Sequence, residues 1–276
     1  MAETTNNVTK LSSFFNRIGI ELNKEKVIYP LGFLILFLTS WIGLIEAFDI
    51  PVYLLPPPDQ VFFGLPERLE FFYPHAKVTM GAALFGWVVG NMIGIVLGFV
   101  MAESNIIKMS TYPYLIALRS IPIIALAPLL ILWLGINIQP ILATAAIIVF
   151  FPTLVNCITG FTSTDELTME LMRSLDASKW EIYRNVKIYN AMPYIFSSLK
   201  ISVALSLIGA IVGEWLVADT GLGYLIVLAN NRIETILLFR SLFLIGIFGT
   251  IWFTTVAIIE AYVIDWQSTG ASGGTR

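Results

Sequence analysis

Residues 162–193 read TSTDELTMELMRSLDASKWEIYRNVKIYNAMP, a charged segment between two long apolar ones. Within it, Ser163 is followed three residues later by Glu166, and Ser178 is followed in the same way by Glu181. Each pair forms a capping box, in which the hydroxyl and the carboxylate each accept a backbone N–H at the start of a helix. The segment therefore contains two predicted helix starts.

The two predicted helices run over about 165–175 and 179–189, with a corner at Asp176-Ala177. Each helix has one apolar face, and these faces comprise Leu167, Leu171, Met172 and Leu175 in the first, and Trp180, Tyr183 and Val186 in the second. Amphipathic helices this short are not stable alone in water, so the faces need a surface to cover them. Two surfaces remain open at this point: lipid headgroups and a soluble partner protein.

The composition of the chain is that of a membrane protein. Of its 276 residues, 57% are apolar and 13% are charged, and the mean hydropathy is +0.81. Several apolar runs exceed the roughly 18 residues needed to cross a bilayer. The net charge of −3 does not suggest nucleic acid as a partner. One cysteine, Cys157, and one histidine, His75, argue against a disulfide, a zinc site and most thiol chemistry.

The apolar runs predict an all-α membrane protein with six transmembrane helices. The predicted spans are 27–46, 78–101, 111–136, 137–160, 194–217 and 241–264. They make one transmembrane domain over 27–265, between an N-terminal segment at 1–26 and a flexible, Gly/Ser-rich tail at 266–276. Outside the spans we expect a surface helix at 61–72, a short polar turn at 103–110 and a re-entrant or interfacial segment at 222–229.

Glycine and proline add detail to two of the spans. Four glycines recur every four residues along the second span: Gly86, Gly90, Gly94 and Gly98. Such a narrow ridge without side chains lets another helix approach closely, and we expect packing rather than a pore lining. In the third span, Pro122 and Pro128 predict a bend.

Two cations, Arg119 and Lys200, and the carboxylate of Glu214 lie inside predicted spans. We expect the two cations to extend to the lipid headgroups, with a role in a transport pathway as the alternative for Arg119. The shorter side chain of Glu214 cannot extend as far, so it should pair with a cation or face a wet cavity.

The distribution of Lys and Arg predicts the orientation. With six spans, both termini and the 162–193 loop lie on one side, which holds ten Lys and Arg residues against four on the other. Because cytosolic loops carry an excess of these residues, we expect the termini and the loop to be cytosolic.

The order of residues in 162–193 resembles the EAA loop of ABC importer permeases, which runs Glu-Ala-Ala, three residues, Gly and a later Pro. Glu170 takes the glutamate position, residues 176–178 take the corner and Pro193 takes the closing proline. Leu171 and Met172 replace the two alanines, and Asp176 replaces the glycine. Since Asp adopts a left-handed backbone less readily than Gly, the corner is where this chain departs most from the pattern.

Further stretches resemble the nitrate, sulfonate and taurine branch of the same family, in the same order. They are LLPPPDQV at 54–61, RSIPIIALAPLLILWLG at 119–135, FFPTLVNCITG at 150–160 and VGEWLVADTGLGYLI at 212–226. The Ile-Pro-x-x-Ala form within the second of these is closer to sulfonate, taurine and pyrimidine-precursor permeases than to nitrate permeases. The resemblance covers most of the chain from Leu54 onward.

The resemblance implies the fold and function of one half of a pore. It implies a type I ABC importer (MetI-like) permease fold in a bacterial inner membrane, usually as a homodimer with cytosolic coupling helices. A separate ATP-binding subunit would bind ATP-Mg, and a periplasmic or lipid-anchored binding protein would deliver a small polar organic solute or anion. The chain has no GxxxxGK[ST] loop, so we expect neither a bound cofactor nor catalysis by this chain.

The resemblance also assigns candidate residues. The residues that would contact the ATP-binding subunit are Glu170, Arg173, Ser174, Asp176, Ala177, Ser178, Trp180 and Glu181. We expect a solute path among spans three to five, along the dimer axis, with Arg119, Ser120, Ser206 and Glu214 as its polar candidates.

Two other classes of protein are alternatives to the importer subunit. A self-sufficient ion-coupled secondary transporter would need carboxylates near mid-membrane, whereas the acidic residues here lie mostly in loops or near the ends of spans. A membrane enzyme would need a paired acid and base at a suitable depth, and no such pair stands out.

Overall fold

The computed structural model describes residues 24–264, and every regular element within that range is helical. The predicted tail at 266–276, and all but residues 24–26 of the predicted N-terminal segment, lie outside the described residues.

Eleven α-helices follow one another in the described range. The first six are α1 (Lys24–Phe48), α2 (Pro58–Phe62), α3 (Leu69–Glu103), α4 (Asn105–Arg119), α5 (Ile123–Leu134) and α6 (Gln139–Thr162). The remaining five are α7 (Glu166–Ser174), α8 (Lys179–Ile182), α9 (Ile188–Val217), α10 (Leu222–Arg232) and α11 (Thr235–Val263). A 3₁₀ turn at Pro66–Arg68 precedes α3, and a turn of π-helix at Tyr183–Lys187 joins α8 to α9.

The prediction of six spans is confirmed if one broken span is counted. Within the described residues, five helical stretches are long and apolar enough to cross a membrane, and a sixth consists of Asn105–Leu118 and Ile123–Leu134, bent by 97°. The break falls just before Pro122, which caps α5, whereas Pro128 lies inside α5. The prediction of a polar turn at 103–110 was wrong, because Ser104 accepts the Ile107 N–H at 3.3 Å and starts α4.

The second span is also longer than predicted. Helix α3 begins at Leu69 rather than at 78 and continues for 35 residues. The predicted surface helix at 61–72 is therefore wrong: Pro66 separates α2 from α3, and residues 69–72 belong to α3. Pro74 lies in the second turn of α3, where it cannot donate to the Glu70 carbonyl as another residue would.

The glycine ridge packs α3 tightly against α6, which confirms the packing interpretation. A β-carbon added at Gly86 would lie 2.8 Å from the carbonyl carbon of Ala145, and one at Gly90 would lie 2.5 Å from the carbonyl oxygen of Ala146. Only a residue without a side chain allows this separation of the two backbones. The two helices therefore form the centre of the bundle.

A buried polar cluster joins three helices beside this ridge. The Asn91 amide donates to the Ser202 hydroxyl at 2.9 Å, and the Thr153 hydroxyl donates to Asn91 Oδ1 at 2.7 Å. These residues come from α3, α6 and α9 and are almost fully buried. Hydrogen bonds of this kind fix the relative positions of transmembrane helices.

The expectation that Lys200 extends to the lipid headgroups was wrong, because Lys200 forms an ion pair inside the bundle. Instead of extending to the headgroups, its ammonium group lies 2.5 Å from Glu260 Oε2, which links α9 to α11. A charge inside a span is less costly when an opposite charge lies beside it.

Candidate functional site

The 162–193 segment begins differently from the prediction. Helix α6 continues to Thr162, and the Ser163 hydroxyl donates to the Gly160 carbonyl at 2.8 Å. Ser163 is therefore used at the end of α6, and the capping box predicted for it with Glu166 was wrong. Helix α7 starts after Asp165, whose side chain makes no capping hydrogen bond.

The corner after α7 is a Schellman motif built around Asp176. Its backbone is left-handed, with φ of 52°. The Asp176 N–H donates to the Arg173 carbonyl and the Ala177 N–H donates to the Met172 carbonyl, both at 3.0 Å. This pair of bonds defines the motif, which usually has glycine at the left-handed position. Asp176 thus adopts the geometry that the family pattern assigns to glycine.

Replacing Asp176 with glycine should therefore stabilise the corner. Glycine adopts a positive φ without a steric penalty, so we expect the free energy of unfolding to rise by about 1 kcal/mol. Thermal unfolding of the purified protein in detergent measures the change. Asp176→Val is the matched control, because a β-branched residue is disfavoured there and should lower the midpoint. Equal midpoints for both variants would contradict the assigned corner.

The second capping box is confirmed. The Glu181 N–H donates to the Ser178 hydroxyl at 3.3 Å, and Glu181 Oε2 accepts the Ser178 N–H at 2.8 Å. The predicted end of this helix at 189 was wrong, however. Helix α8 passes through the π-helical turn directly into α9, and Pro193 lies inside α9. The second half of the segment is thus a continuous extension of the fifth span.

This extension is fixed to the end of α3. The Lys187 ammonium lies 2.8 Å from Glu103 Oε1 and 4.5 Å from the centroid of the Tyr183 ring. The Phe99 ring packs edge-on against both Tyr183 and Phe161, at centroid distances of 5.7 and 5.3 Å. The segment from α8 to α9 is therefore attached to α3 and α6 at their adjoining ends.

Helix α7 exposes an apolar stripe of leucines, and a further apolar side chain is exposed after the corner. Leu167, Leu171 and Leu175 are 72%, 58% and 68% exposed, and Trp180 is 69% exposed. The predicted contact residues surround this stripe, and among them Glu170, Arg173, Ser174, Asp176, Ser178 and Glu181 are exposed, while Ala177 is half-buried. An apolar stripe rimmed by polar groups is typical of a surface that another protein covers.

A second polar arrangement lies at the opposite end of α9, and it involves Glu214. This carboxylate is 1% exposed and its Oε2 accepts the Gly223 N–H at 2.7 Å. The Leu222 N–H donates to the Thr79 hydroxyl at 2.7 Å, and the Gly221 N–H donates to His75 Nδ1 at 3.0 Å. The expectation that Glu214 pairs with a cation or faces a wet cavity was wrong, because it binds the start of α10 instead.

Comparison with known protein families gives one match that covers more than half of the chain. The family described as the binding-protein-dependent transport system inner membrane component matches residues 90–266. The chain belongs to this family. It is a multi-pass membrane permease of the ABC importer type, and the resemblance in the sequence is confirmed. Permeases of this family work with ATP-binding and solute-binding partners and are not themselves catalytic.

Curated permeases of one branch resemble this permease over most of their length. It is 31% identical to the formylaminopyrimidine transport permease of Halalkalibacterium halodurans, over 78% of this chain and 86% of the relative. It is 29% identical to the riboflavin transport permease of Chloroflexus aurantiacus, over 85% and 88%. It is 22% identical to the taurine transport permease of Escherichia coli, over 88% and 91%.

The predicted path residues of this permease do not lie together on one surface. Ser120 is exposed, and its hydroxyl donates to the Ile116 carbonyl at 3.1 Å. Ser206 is fully buried, with its hydroxyl bonded to the Val203 carbonyl, and Glu214 is buried at the start of α10. The side chain of Arg119 lies outside the described part of the structure. Their part in a solute path stays a prediction.

Sequence reasoning missed His75 and Thr79, which hold the start of α10 together with Glu214. They are separated from it by more than 130 positions, and no local pattern connects them. The available signal was the pair Gly221 and Gly223, since two glycines beside the start of a helix often mark a close approach to another group. A β-carbon at Gly223 would lie 2.7 Å from Glu214 Oε2.

Proposed function

We propose that this permease forms a homodimeric pore in a bacterial inner membrane, with its termini and the 162–193 segment in the cytosol. A separate subunit binds and hydrolyses ATP-Mg, and a periplasmic or lipid-anchored binding protein delivers the solute. The excess of Lys and Arg on the side of the termini supports this orientation. The family match supports both types of partner.

The exposed apolar stripe of α7 is the main support for the proposal that the 162–193 segment couples the permease to the ATP-binding subunit. This segment is called the coupling segment below. Leu167, Leu171 and Leu175 are spaced four residues apart, so they lie along one face of the helix. A nine-residue helix with its apolar face in water is not stable on its own, and the many charges around it do not fit the bilayer core. A cleft on the ATP-binding subunit fits both properties, and the family match favours it over a lipid surface.

The continuous helix from α8 to α9 provides the connection from that cleft to the pore. Helix α9 alone has 30 residues and is about 45 Å long, which exceeds the thickness of a bilayer core. When two ATP-binding subunits close on ATP, each would displace one coupling segment and rotate α9 with it. The pore would then alternate between states open to one side or the other.

The solute path would run along the dimer axis, among spans three to five. Ser120 and Arg119 lie next to the break between α4 and α5, where freed backbone carbonyls also need partners. Ser206 and Glu214 are buried within the chain, so they would meet the solute only in a state in which the helices have separated.

The solute would be a small polar organic molecule or anion of the sulfonate, taurine, nitrate or pyrimidine-precursor type. Relatives whose names specify formylaminopyrimidine, aliphatic sulfonates and taurine support this range. Calorimetric titration of the cognate binding protein with one member of each class tests the assignment. Binding of a solute outside these classes, with none inside them, would contradict it.

Two substitutions in the coupling segment should separate ATP hydrolysis from uptake. Glu170→Ala removes the charge beside the apolar stripe, and Ala177→Trp places a large side chain in the corner. For each we expect uptake to fall about tenfold or more while the assembled complex still hydrolyses ATP, because a displaced contact no longer transmits the movement. Vesicle uptake and phosphate release are measured together. Full uptake in both variants, with normal assembly, would contradict the proposed coupling.

A further inference from the structure

The start of α10 is held by three side chains from two other helices. Gly221, Leu222 and Gly223 provide three successive N–H groups, and the first turn of a helix cannot satisfy such groups internally. His75 and Thr79 of α3 accept two of them, and Glu214 of α9 accepts the third. Helix α10 is therefore tied to both α3 and α9 at one point.

Two of the acceptors, His75 and Thr79, respond differently to protons. His75 accepts through Nδ1, so this nitrogen carries no proton in the arrangement seen here. A doubly protonated imidazole would turn Nδ1 into a donor that faces the Gly221 N–H, and the bond would be lost. The hydroxyl of Thr79, which also donates to the His75 carbonyl at 3.3 Å, keeps its capacity to accept at any ordinary pH.

The surroundings of His75 contain few competing charges. From α9 comes Glu214, and from α10 comes the ring of Tyr224, stacked on His75 at 6.2 Å. The charged groups of α11 are engaged elsewhere: Arg240 with the Gln60 carbonyl and Glu260 with Lys200. In the loop before α10, Asp219 is exposed. Histidine is also the side chain whose charge ordinarily changes between about pH 5 and pH 8.

We propose that His75, Thr79 and Glu214 form a proton-sensitive latch that keeps α10 docked while His75 is neutral and loosens its first turn when His75 is protonated. The latch lies at the end of α9 remote from the coupling segment. Its consequence for transport rests on the proposed function: acid on the external side would loosen the external end of the pore. The latch itself needs neither ATP nor a partner subunit.

Thiol labelling of the full-length chain in membranes tests the latch directly. Leu225 of α10 is 1% exposed and Thr220 is exposed, so Leu225→Cys reports on docking and Thr220→Cys corrects for the pH dependence of thiol reactivity. Both are made with Cys157→Ala and treated with a water-soluble maleimide. We expect the labelling ratio of Leu225→Cys to Thr220→Cys to rise about tenfold from pH 8 to pH 5.5. Ala229→Cys, at another fully buried position in α10, is a second reporter that changes less volume.

Substitutions at the latch identify the sensor. In His75→Asn the amide oxygen accepts the Gly221 N–H at every pH, so the labelling ratio should be low at both pH 8 and pH 5.5. In His75→Phe a ring remains but offers no acceptor, so the labelling ratio should be high at both pH values. Glu214→Gln should keep the rise. Four results would each overturn the proposal. With the latch unsubstituted, or with Glu214→Gln, the contradicting result is a labelling ratio that does not change with pH. With His75→Asn it is a ratio that rises on acidification, and with His75→Phe it is a low ratio. No ATP-binding subunit takes part in this experiment. A negative result would therefore not contradict the proposed coupling, and a failure of the proposed coupling would not contradict the latch.

Discussion

Replacing Gly86 with alanine should destabilise the permease strongly, by roughly 2–3 kcal/mol. The added methyl group would overlap the Cβ of Ala145 and would lie 2.8 Å from its carbonyl carbon. Since the contact involves backbone atoms of α6, no side-chain rotation relieves it, and the two central helices must separate. The Asn91 cluster, which also joins α3 to α6, would separate with them. The thermal midpoint in detergent and the yield of monodisperse protein measure the effect.

Gly81→Ala is the matched control on the same helix. A β-carbon at Gly81 meets no atom within 4 Å, so the substitution adds only the better helix propensity of alanine. It should leave the midpoint unchanged or raise it, by the equivalent of about 0.5–1 kcal/mol. If Gly86→Ala and Gly81→Ala had the same midpoint, the close contact of α3 with α6 would not be the basis of the fold.

The Leu171→Asp substitution should release the ATP-binding subunit and reduce uptake by about a hundredfold. Leu171 lies in the middle of the exposed apolar stripe of α7, and an unpaired carboxylate buried in a docked interface is strongly unfavourable. Leu171→Ala removes the apolar contact without adding a charge, so it should weaken association less. The amount of ATP-binding subunit that co-purifies with the tagged permease measures the first effect, and vesicle uptake measures the second.

Glu166→Ala is the control for that experiment. Glu166 is exposed in the first turn of α7, one turn before Glu170 and away from the middle of the stripe, so its loss should reduce association and uptake far less than Leu171→Asp does. Retention of the ATP-binding subunit by Leu171→Asp, in permease with an unchanged thermal midpoint, would show that the stripe is covered by something else. A lipid surface, the alternative that the sequence leaves open, would then be favoured.

The sequence predicts the number of spans and the central packing well, because both depend on local patterns. Runs of apolar residues determine which segments enter a membrane, and the four-residue spacing of Gly86 to Gly98 places all four glycines on one face of a helix. The capping box of Ser178 and Glu181 is equally local. Each of these signals lies within one turn or one helix.

The errors come from competition between neighbouring elements. Ser163 could either cap the start of α7 or bond to the last turn of α6. Because α6 continues to Thr162, the Ser163 hydroxyl bonds to the Gly160 carbonyl and does not cap α7. The second half of the coupling segment contains no glycine between 179 and 208, so nothing in the backbone separates it from α9. The roles of Glu214 and Lys200 depend on partners from other helices, which single-helix reasoning does not reveal.

Cross-linking from the corner of the coupling segment tests the central proposal most directly. Ala177→Cys, with Cys157→Ala, is expressed together with the ATP-binding subunit, and a short bifunctional thiol-to-amine reagent is added to inside-out membranes. We predict a covalent product of the permease and the ATP-binding subunit. Asn230→Cys, which is exposed at the opposite end of the bundle, should give none. If the Ala177→Cys thiol reacted only from the external face, or never joined the ATP-binding subunit in membranes that transport the solute, the proposed coupling would be contradicted.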